Sequence, residues 1–271
     1  MTSAGSWKRK AATALMWSLA LLVAAGAARY FLVPPPLLRP KLPPDLVARE
    51  PVVRALSGIA EYLYVHHRAL LLTHIGCGIV ALAGGLVQFL GSVRASRPAL
   101  HRAMGLAYLA AVLVGGATGM PLGVLFLDAF PEELRPVFHP SMVAFLALSA
   151  AWVAVSAMAF RSARQRRFGD HRAWMIRSYS LTFAAVTARA WAPLFLLLSA
   201  EPVLLANGGI LLWPLNLAVA EWLVRRAAAS RSGEQIVVKR PGRAAAMAAP
   251  SAARGGRGPA RAGRPPPSAP A

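Results

Sequence analysis

The sequence predicts an all-α protein whose helices cross a membrane several times. Three observations predict this fold class. Of the 271 residues, 56% are hydrophobic, and the charged residues are confined to short islands. The apolar stretches between the islands run for about 20 residues, which as a helix span roughly 30 Å of hydrocarbon. A soluble domain of this size would carry more charge along its middle. We therefore expect a polytopic transmembrane helical bundle.

Six apolar stretches are long enough to cross the bilayer. They lie at about 11–33, 69–92, 102–127, 139–160, 174–199 and 203–224. The first follows a basic start and ends among small residues, as a cleaved secretory signal does. Its apolar character continues through Val33, which favours an uncleaved anchor. The chain is thus predicted to have six spans, or five if the first is removed.

The charged islands predict the orientation of these spans. Segments 92–102 and 161–173 are rich in arginine, and the tail from Arg225 holds ten basic residues and one acid. Segment 128–138 is mostly acidic. Because basic loops remain in the cytoplasm, the arginine-rich islands are placed inside. A multi-pass protein of the plasma membrane is expected, with both termini cytoplasmic if the first span is uncleaved.

Four regions follow from this organisation. They are an N-terminal anchor or signal at 1–33, a proline-rich external linker and surface helix at 34–68, a membrane domain at 69–226, and a basic tail at 227–271. The tail lacks large apolar residues and is predicted to be disordered. Its partners are expected to be the bilayer and anionic lipids at the cytoplasmic face. No nucleic-acid motif occurs, and no pattern indicates an oligomeric state.

Histidines mark corresponding positions in two predicted hairpins. His74 lies near the outer end of one descending helix, and His139 begins the other. His101 and His171 open the two ascending helices at the inner surface, in the similar motifs HRAMG and HRAWM. The pattern predicts a parallel repeat of a two-helix unit, related by an axis along the membrane normal.

Small or polar residues follow three of these histidines at helical spacing. They are Gly78, Ala81, Gly85 and Gln88 after His74; Gly105, Tyr108, Val112 and Gly115 after His101; and Met175, Ser178, Thr182, Ala185 and Arg189 after His171. Small residues let membrane helices approach closely. They also leave room for a flat ligand, but we favour packing as the explanation of each stripe.

Three quoted stretches carry a family resemblance. They are THIGCGIVALAGGLVQFLGSVRASRPALHRAMGLAYL, GDHRAWMIRSYSLTFAAVTARAW and WPLNLAVAEWLVRR. Together, over about 70–226, they resemble a bacterial family of predicted membrane proteins, domain of unknown function 2306. The resemblance implies a multi-helix integral membrane protein and no particular activity.

The four histidines support a haem hypothesis, because imidazole is an axial ligand of haem iron. His74 would pair with His139 outside, and His101 with His171 inside. This arrangement is similar to that of two-haem transmembrane cytochromes, which carry electrons. The alternative is that the histidines anchor helix ends in the headgroup zone, without a cofactor. We favour anchoring, and haem remains the alternative.

Other polar residues within the spans suggest structural or ligand contacts. Arg177 and Glu221 lie at matched depth and are predicted to form an ion pair. Asn216 is expected to hydrogen-bond between helices, and Pro214 to kink its span. Arg189 lies mid-span without an acidic partner at its depth. It is either a functional residue or a donor to backbone carbonyls.

Nothing in the sequence favours catalysis. There is no GxSxG motif, phosphate loop or zinc motif, and the lone cysteine, Cys77, lies inside an apolar stretch. We therefore expect a non-enzymatic membrane protein that binds, transports or stabilises. The alternative is the haem-bearing electron carrier.

Overall fold

A computed structural model of the chain describes residues 3–33, 44, 47, 51–197 and 201–238. These residues are helical almost throughout, and none of them lies in a strand. The all-α prediction is therefore confirmed.

Ten α-helices are described. They are α1 Ser3–Ala28, α2 Pro51–His66, α3 Arg68–Gln88, α4 Gly91–Ser96, α5 Pro98–Leu125, α6 Arg135–Arg164, α7 Phe168–Thr182, α8 Ala184–Leu197, α9 Pro202–Leu211 and α10 Trp213–Val238. Short 3₁₀ turns follow α1 and precede α6, at Arg29–Phe31, Phe126–Ala129 and Glu132–Leu134.

Four described segments are long and apolar enough to cross a membrane. They are Lys10–Phe31, Arg68–Gln88, Pro98–Ala129 and Glu132–Arg164, and they correspond to the first four predicted spans. Large apolar side chains are exposed on the same helices, as on a surface that faces lipid. Examples are Leu106, Leu113, Val114, Val124 and Val143.

The fifth and sixth predicted spans are each interrupted once. The fifth breaks at Phe183, where Val186 N–H donates to the carbonyl of Phe183, three residues back rather than four (2.9 Å). The sixth breaks at Leu212, two residues before Pro214. A proline lacks the backbone donor and clashes with the preceding turn, so the predicted kink at Pro214 has its expected cause. The six-span count remains a prediction.

The membrane helices pack as a bundle in which neighbours alternate in direction. Along α5, Gly116 approaches Val153 of α6, whereas Gly123 approaches Phe145. The residue number of the partner on α6 falls as the residue number on α5 increases, so α5 and α6 are antiparallel. The same relation holds between α6 and α7, because Trp152 bonds Thr182 while Ala159 bonds His171. It follows that α5 and α7 are parallel.

Helix α2 lies outside the predicted spans and packs against the turn that joins α5 to α6. Val52, Phe130 and Phe138 are buried together there, with the two phenylalanine rings stacked at 3.7 Å. The proline-rich part of the predicted linker lies largely outside the described residues. Anchoring α2 in this way fixes the ends of α5 and α6 that meet at this turn, which the predicted topology places outside and which are called the outer ends below, the opposite ends being the inner ones.

The chain divides into a unit up to Arg225 and a second unit, 226–271. Only Arg226–Val238 of the second unit is described, and it is helical. The disorder of the tail from 227 onward remains a prediction. The rest of the predicted tail lies outside the described residues.

Candidate functional site

The small and polar faces of α5 and α7 meet inside the bundle. The Tyr108 hydroxyl lies 2.7 Å from Ser178 Oγ and 2.8 Å from Thr182 Oγ1. All three side chains are buried. These residues belong to the stripes that follow His101 and His171 in the sequence. The stripes therefore serve helix packing, as we expected.

Helix α6 completes this buried polar layer. Trp152 Nε1 donates to Thr182 Oγ1 (2.9 Å), and Ser156 Oγ lies 2.6 Å from Ser178 Oγ. Ser156 also donates to the carbonyl of Trp152 (2.7 Å). Each buried hydroxyl therefore has a partner, as buried polar groups generally do. The layer joins three helices without an unsatisfied group of its own.

Glycines bring the helices close enough for these contacts. Gly85 of α3 lies against the Tyr179 ring, and a methyl group there would overlap the ring. Tyr179 in turn donates its hydroxyl to the Leu82 carbonyl (3.1 Å). Gly115 lies between Cys77 and Trp152, where an added Cβ would approach their side chains to 3.1 and 3.2 Å. The interior at this level is filled by protein side chains.

His101 and His171 lie together at the inner end of the bundle. His101 precedes Tyr108 by two helical turns, and His171 precedes Ser178 by the same interval. Because α5 and α7 are parallel and Tyr108 touches Ser178, equal steps back place His101 and His171 at the same level of the two helices. That the two imidazoles form a pair remains a prediction.

The two inner histidines differ in their hydrogen bonds. His171 Nδ1 lies 2.9 Å from the Ala159 carbonyl, which can only accept, so Nδ1 donates and, in the neutral imidazole, Nε2 keeps a lone pair. His101 Nδ1 is buried and has no hydrogen-bond partner among the described residues. The backbone of His101 is held by Gln88, whose Nε2 donates to its carbonyl (3.2 Å). The inner end therefore offers two imidazole nitrogens to a ligand.

The predicted outer pair faces two different surroundings. His74 Nδ1 donates to the Gly115 carbonyl (2.9 Å), and its ring lies 5.8 Å from that of Phe145. His139 is exposed and lines a shallow apolar groove with Pro140 and Trp213. Phe145 and His139 lie on different sides of α6, because six residues turn a helix by about 240°. The described structure does not bring this pair together.

Arg189 is exposed on α8 and donates Nη1 to the Ala185 carbonyl one turn earlier (2.9 Å). It interacts electrostatically with His74 on α3 and with Arg29 and Tyr30 at the end of α1. No carboxylate among the described residues contacts it. The carbonyl contact that the sequence predicted is present, but it uses only one N–H donor of the guanidinium. A functional role for Arg189 therefore remains a prediction.

Arg177 and Glu221 form the predicted ion pair. Arg177 Nη2 lies 2.6 Å and Nε 3.0 Å from Glu221 Oε2. The other carboxylate oxygen accepts from Arg225 (2.8 Å). The Arg177 guanidinium also lies over the Trp174 ring, 4.8 Å from its centroid. The pair links α7 to α10 through a carboxylate that Arg225 shares, which indicates a structural role.

The Asn216 amide makes the predicted contact between helices. Its Nδ2 lies 3.0 Å from Thr187 Oγ1 and 3.4 Å from the Ser180 carbonyl. These two partners stand on either side of the break at Phe183. Asn216 thus supplies hydrogen bonds where the helical ladder of α7 and α8 is interrupted.

A family model with the description "Predicted membrane protein (DUF2306)" matches residues 71–224, more than half of the chain. The chain belongs to this family. No curated protein and no solved structure matches it significantly. The matched range contains the four histidines, the buried polar layer, Arg189 and Asn216. The N-terminal helix α1, the 3₁₀ turn after it and the basic tail lie outside the residues that match the DUF2306 model.

Asn207 is a contact residue within the DUF2306 range that the sequence reasoning missed. Its Oδ1 accepts from the backbone and hydroxyl of Ser141 (3.1 and 2.6 Å), and its Nδ2 donates to the Val137 carbonyl (2.8 Å). In an α-helix the N–H of Ser141 donates to the carbonyl of Val137. The Asn207 side-chain amide gives each of these two backbone groups a second partner. An asparagine inside the apolar stretch was the available signal.

Proposed function

We propose that this chain is a non-enzymatic integral membrane protein that binds a ligand between the inner ends of α5 and α7. One observation carries the proposal. His101 Nδ1 is buried without a partner beside His171, whose Nε2 is left with a lone pair. A buried polar atom without a hydrogen bond costs about 1–3 kcal/mol. A ligand that bonds to this nitrogen offsets that cost.

The rest of the polar interior supports a binding role over catalysis. The hydroxyls of Ser156, Ser178 and Thr182 are bonded to one another, to Tyr108 and to Trp152. A nucleophilic hydroxyl needs an adjacent base. These hydroxyls have neutral partners, so their arrangement favours structural cohesion. The imidazoles two turns away are the groups left for a ligand.

The location and lipid partners belong to the same proposal. Arginines concentrate on one side of the bundle, beginning with the exposed Arg94 of the short helix α4. This distribution favours a plasma-membrane protein with a cytoplasmic inner face and both termini inside. Anionic lipids of that leaflet are the expected neighbours of the basic islands.

Native mass spectrometry of the detergent-solubilised protein tests the binding role. The wild type is expected to carry an added mass that His101→Ala and His171→Ala lose. His139→Ala is the matched control, because this exposed histidine lies elsewhere on the surface, and it should keep the added mass. If each of the four proteins shows only the mass of its own chain, with no bound species, the proposal is overturned.

Haem binding is the second candidate, and the same pair favours it. Among the described residues no group of three or more histidine, cysteine, aspartate and glutamate side chains gathers to hold a metal ion. Two imidazoles are enough for haem iron, because the porphyrin supplies the remaining ligands. The His171 Nδ1–H bond to a carbonyl is the orientation that ligating histidines commonly have. His74 and His139 have different surroundings and do not form such a pair, so His101 and His171 are the candidate haem ligands.

An absorption spectrum of protein from haem-replete cells separates the two candidates. A sharp Soret band that disappears in His101→Ala and His171→Ala, and persists in His139→Ala, identifies the ligand as haem and favours the electron-carrier alternative. A colourless protein that still shows the histidine-dependent added mass leaves the binding role and removes haem.

A further inference from the structure

Two adjacent histidines lie at the junction between α2 and α3. His66 is the last residue of α2, and His67 separates it from Arg68, the first residue of α3. On a regular helix, neighbouring side chains point about 100° apart, which would separate the two imidazoles. His67 instead has φ −135° and ψ 37°, outside the helical region. The centroids of the two rings lie 6.4 Å apart, so the break between the helices leaves the imidazoles side by side.

The backbone and a tyrosine hold this junction in place. The His67 N–H donates to the Leu63 carbonyl (2.8 Å), and the His67 carbonyl accepts from the Leu71 N–H (2.9 Å). Tyr62, one turn before His66, packs against the buried cluster that contains Leu63 and Leu71. Its ring centroid lies 4.5 Å from that of His66 and 6.2 Å from that of His67. The two imidazoles are therefore positioned by packed neighbours on α2 and α3.

The imidazole nitrogens at this junction are available to a ligand. His66 is exposed and His67 half-buried, and neither side chain has a hydrogen bond among the described residues. The guanidinium of the neighbouring Arg68 lies over the Tyr64 ring, 4.9 Å from its centroid. Tyr64 follows Tyr62 by two residues, about 200° around α2, so this positive charge is held on another side of the helix. A cation can approach the two imidazoles without meeting it.

We propose that His66 and His67 bind a divalent copper ion on the side of the molecule predicted to be external, with water completing its coordination. Two imidazoles that share one ion, each at about 2.0–2.1 Å from nitrogen to metal, have ring centroids up to about 6 Å apart. The observed 6.4 Å is close to this spacing, and a small rotation of the exposed His66 ring closes the difference.

The number of ligands favours copper over zinc. Zinc sites use three or four protein ligands, and no group of three candidate metal ligands occurs in the described part of the chain. Copper(II) binds nitrogen ligands most tightly among the divalent ions of its row, and its tetragonal geometry accommodates two imidazoles and two waters. The site does not depend on the proposed function of the inner histidines.

Electron paramagnetic resonance of the full-length protein in detergent, with less than one equivalent of Cu²⁺, tests the site. The wild type should give a tetragonal signal split by two imidazole nitrogens. His66→Ala and His67→Ala should each lose this two-nitrogen splitting. Each should also bind Cu²⁺ at least about tenfold more weakly, because even the hydrogen-bond partners of metal ligands contribute about 10–100-fold to affinity.

Two control variants separate this site from the other histidines. His139→Ala removes an exposed histidine of α6, and His101→Ala removes the proposed inner ligand; both should keep the wild-type signal and affinity. Unchanged splitting and affinity in both His66→Ala and His67→Ala would overturn the proposal. Loss of the signal in His101→Ala would also overturn it, because the copper would then lie at the inner histidines. Since His66 is exposed, its replacement reports on copper binding with the fold intact.

Discussion

At the scale of single residues, buried polar atoms that have hydrogen-bond partners are assigned to structure, and a buried polar atom without one is the candidate for function. The Tyr108 hydroxyl has two partners in the polar layer, whereas His101 Nδ1 has none among the described residues. Satisfied networks stabilise one arrangement of helices. An unsatisfied buried atom instead indicates a ligand that the protein chain does not supply. The inner histidine is for this reason the best candidate for function.

The Tyr108 hydroxyl should contribute to stability alone. Tyr108→Phe removes the donor or acceptor shared by Ser178 and Thr182, so we expect a loss of about 1–3 kcal/mol in unfolding free energy. The apparent melting temperature in detergent measures this loss. Tyr62→Phe, at a half-buried tyrosine of α2 whose hydroxyl has no hydrogen bond among the described residues, should melt like the wild type. Equal melting of both variants would show that the polar layer contributes nothing.

Gly85 provides a matched test of close helix approach. Gly85→Ala places a methyl group into the Tyr179 ring, and overpacking of this kind costs about 1–3 kcal/mol. Gly78→Ala lies on the same helix with nothing within 4 Å of the new methyl group. We expect the first variant to melt well below the wild type and the second to melt at or above it, in a thermal unfolding assay. The reverse order would contradict the described packing of α3 on α7.

At the scale of helices, side-chain amides support the irregular parts of the bundle. Asn216 bonds on both sides of the break at Phe183, and Asn207 bonds the two backbone atoms of one helical step in α6. Polar groups of this kind satisfy backbone atoms that cannot reach water inside a membrane. The interrupted helices α7–α8 and α9–α10 are thereby held to their neighbours.

Asn207→Leu should loosen α9 from α6. The leucine is close in size but removes the bonds to Ser141 and Val137, so we expect destabilisation of about 1–3 kcal/mol. Limited proteolysis at 198–202 should then be faster than in the wild type. Val203→Ala, which shortens an exposed side chain on the same helix, is the control. Unchanged proteolysis in Asn207→Leu would mean that other contacts hold α9.

The sequence predicts straight apolar helices better than it predicts their interruptions. The first four spans follow from hydropathy, which is a local property, and Pro214 marks the second break. No proline or glycine marks the break at Phe183. The helix there is interrupted next to two residues that bond Asn216, which comes from a distant part of the sequence. The sequence places His74 and His139 near the same predicted end of two helices, with His74 deeper than His139, but whether their side chains face each other depends on the rotation of each helix. That rotation is set by packing, here by Gly115 and Phe145.

At the scale of the whole molecule, a filled polar layer joins α5, α6 and α7, and His101 and His171 lie two helical turns from it along α5 and α7. Such an interior favours a rigid scaffold over an open channel. The range that matches the family model contains both the layer and the two histidines.

The orientation of the bundle is open to a labelling test in intact cells. In a Cys77→Ala background, a membrane-impermeant thiol reagent should label Pro131→Cys and Glu201→Cys, which the six-span prediction places outside. Gln165→Cys, in the turn between α6 and α7, should be labelled only after the cells are opened. Protection of Glu201→Cys in intact cells would mean that α7–α8 does not cross the membrane.

The proposed binding site requires that His101 and His171 lie close together between α5 and α7. Thiol cross-linking measures this most directly, with His101→Cys and His171→Cys combined in the Cys77→Ala background and a short bifunctional reagent. We predict an intramolecular cross-link for this pair and none for His74→Cys with His139→Cys. No cross-link at the inner pair, together with efficient cross-linking of the outer one, would contradict it.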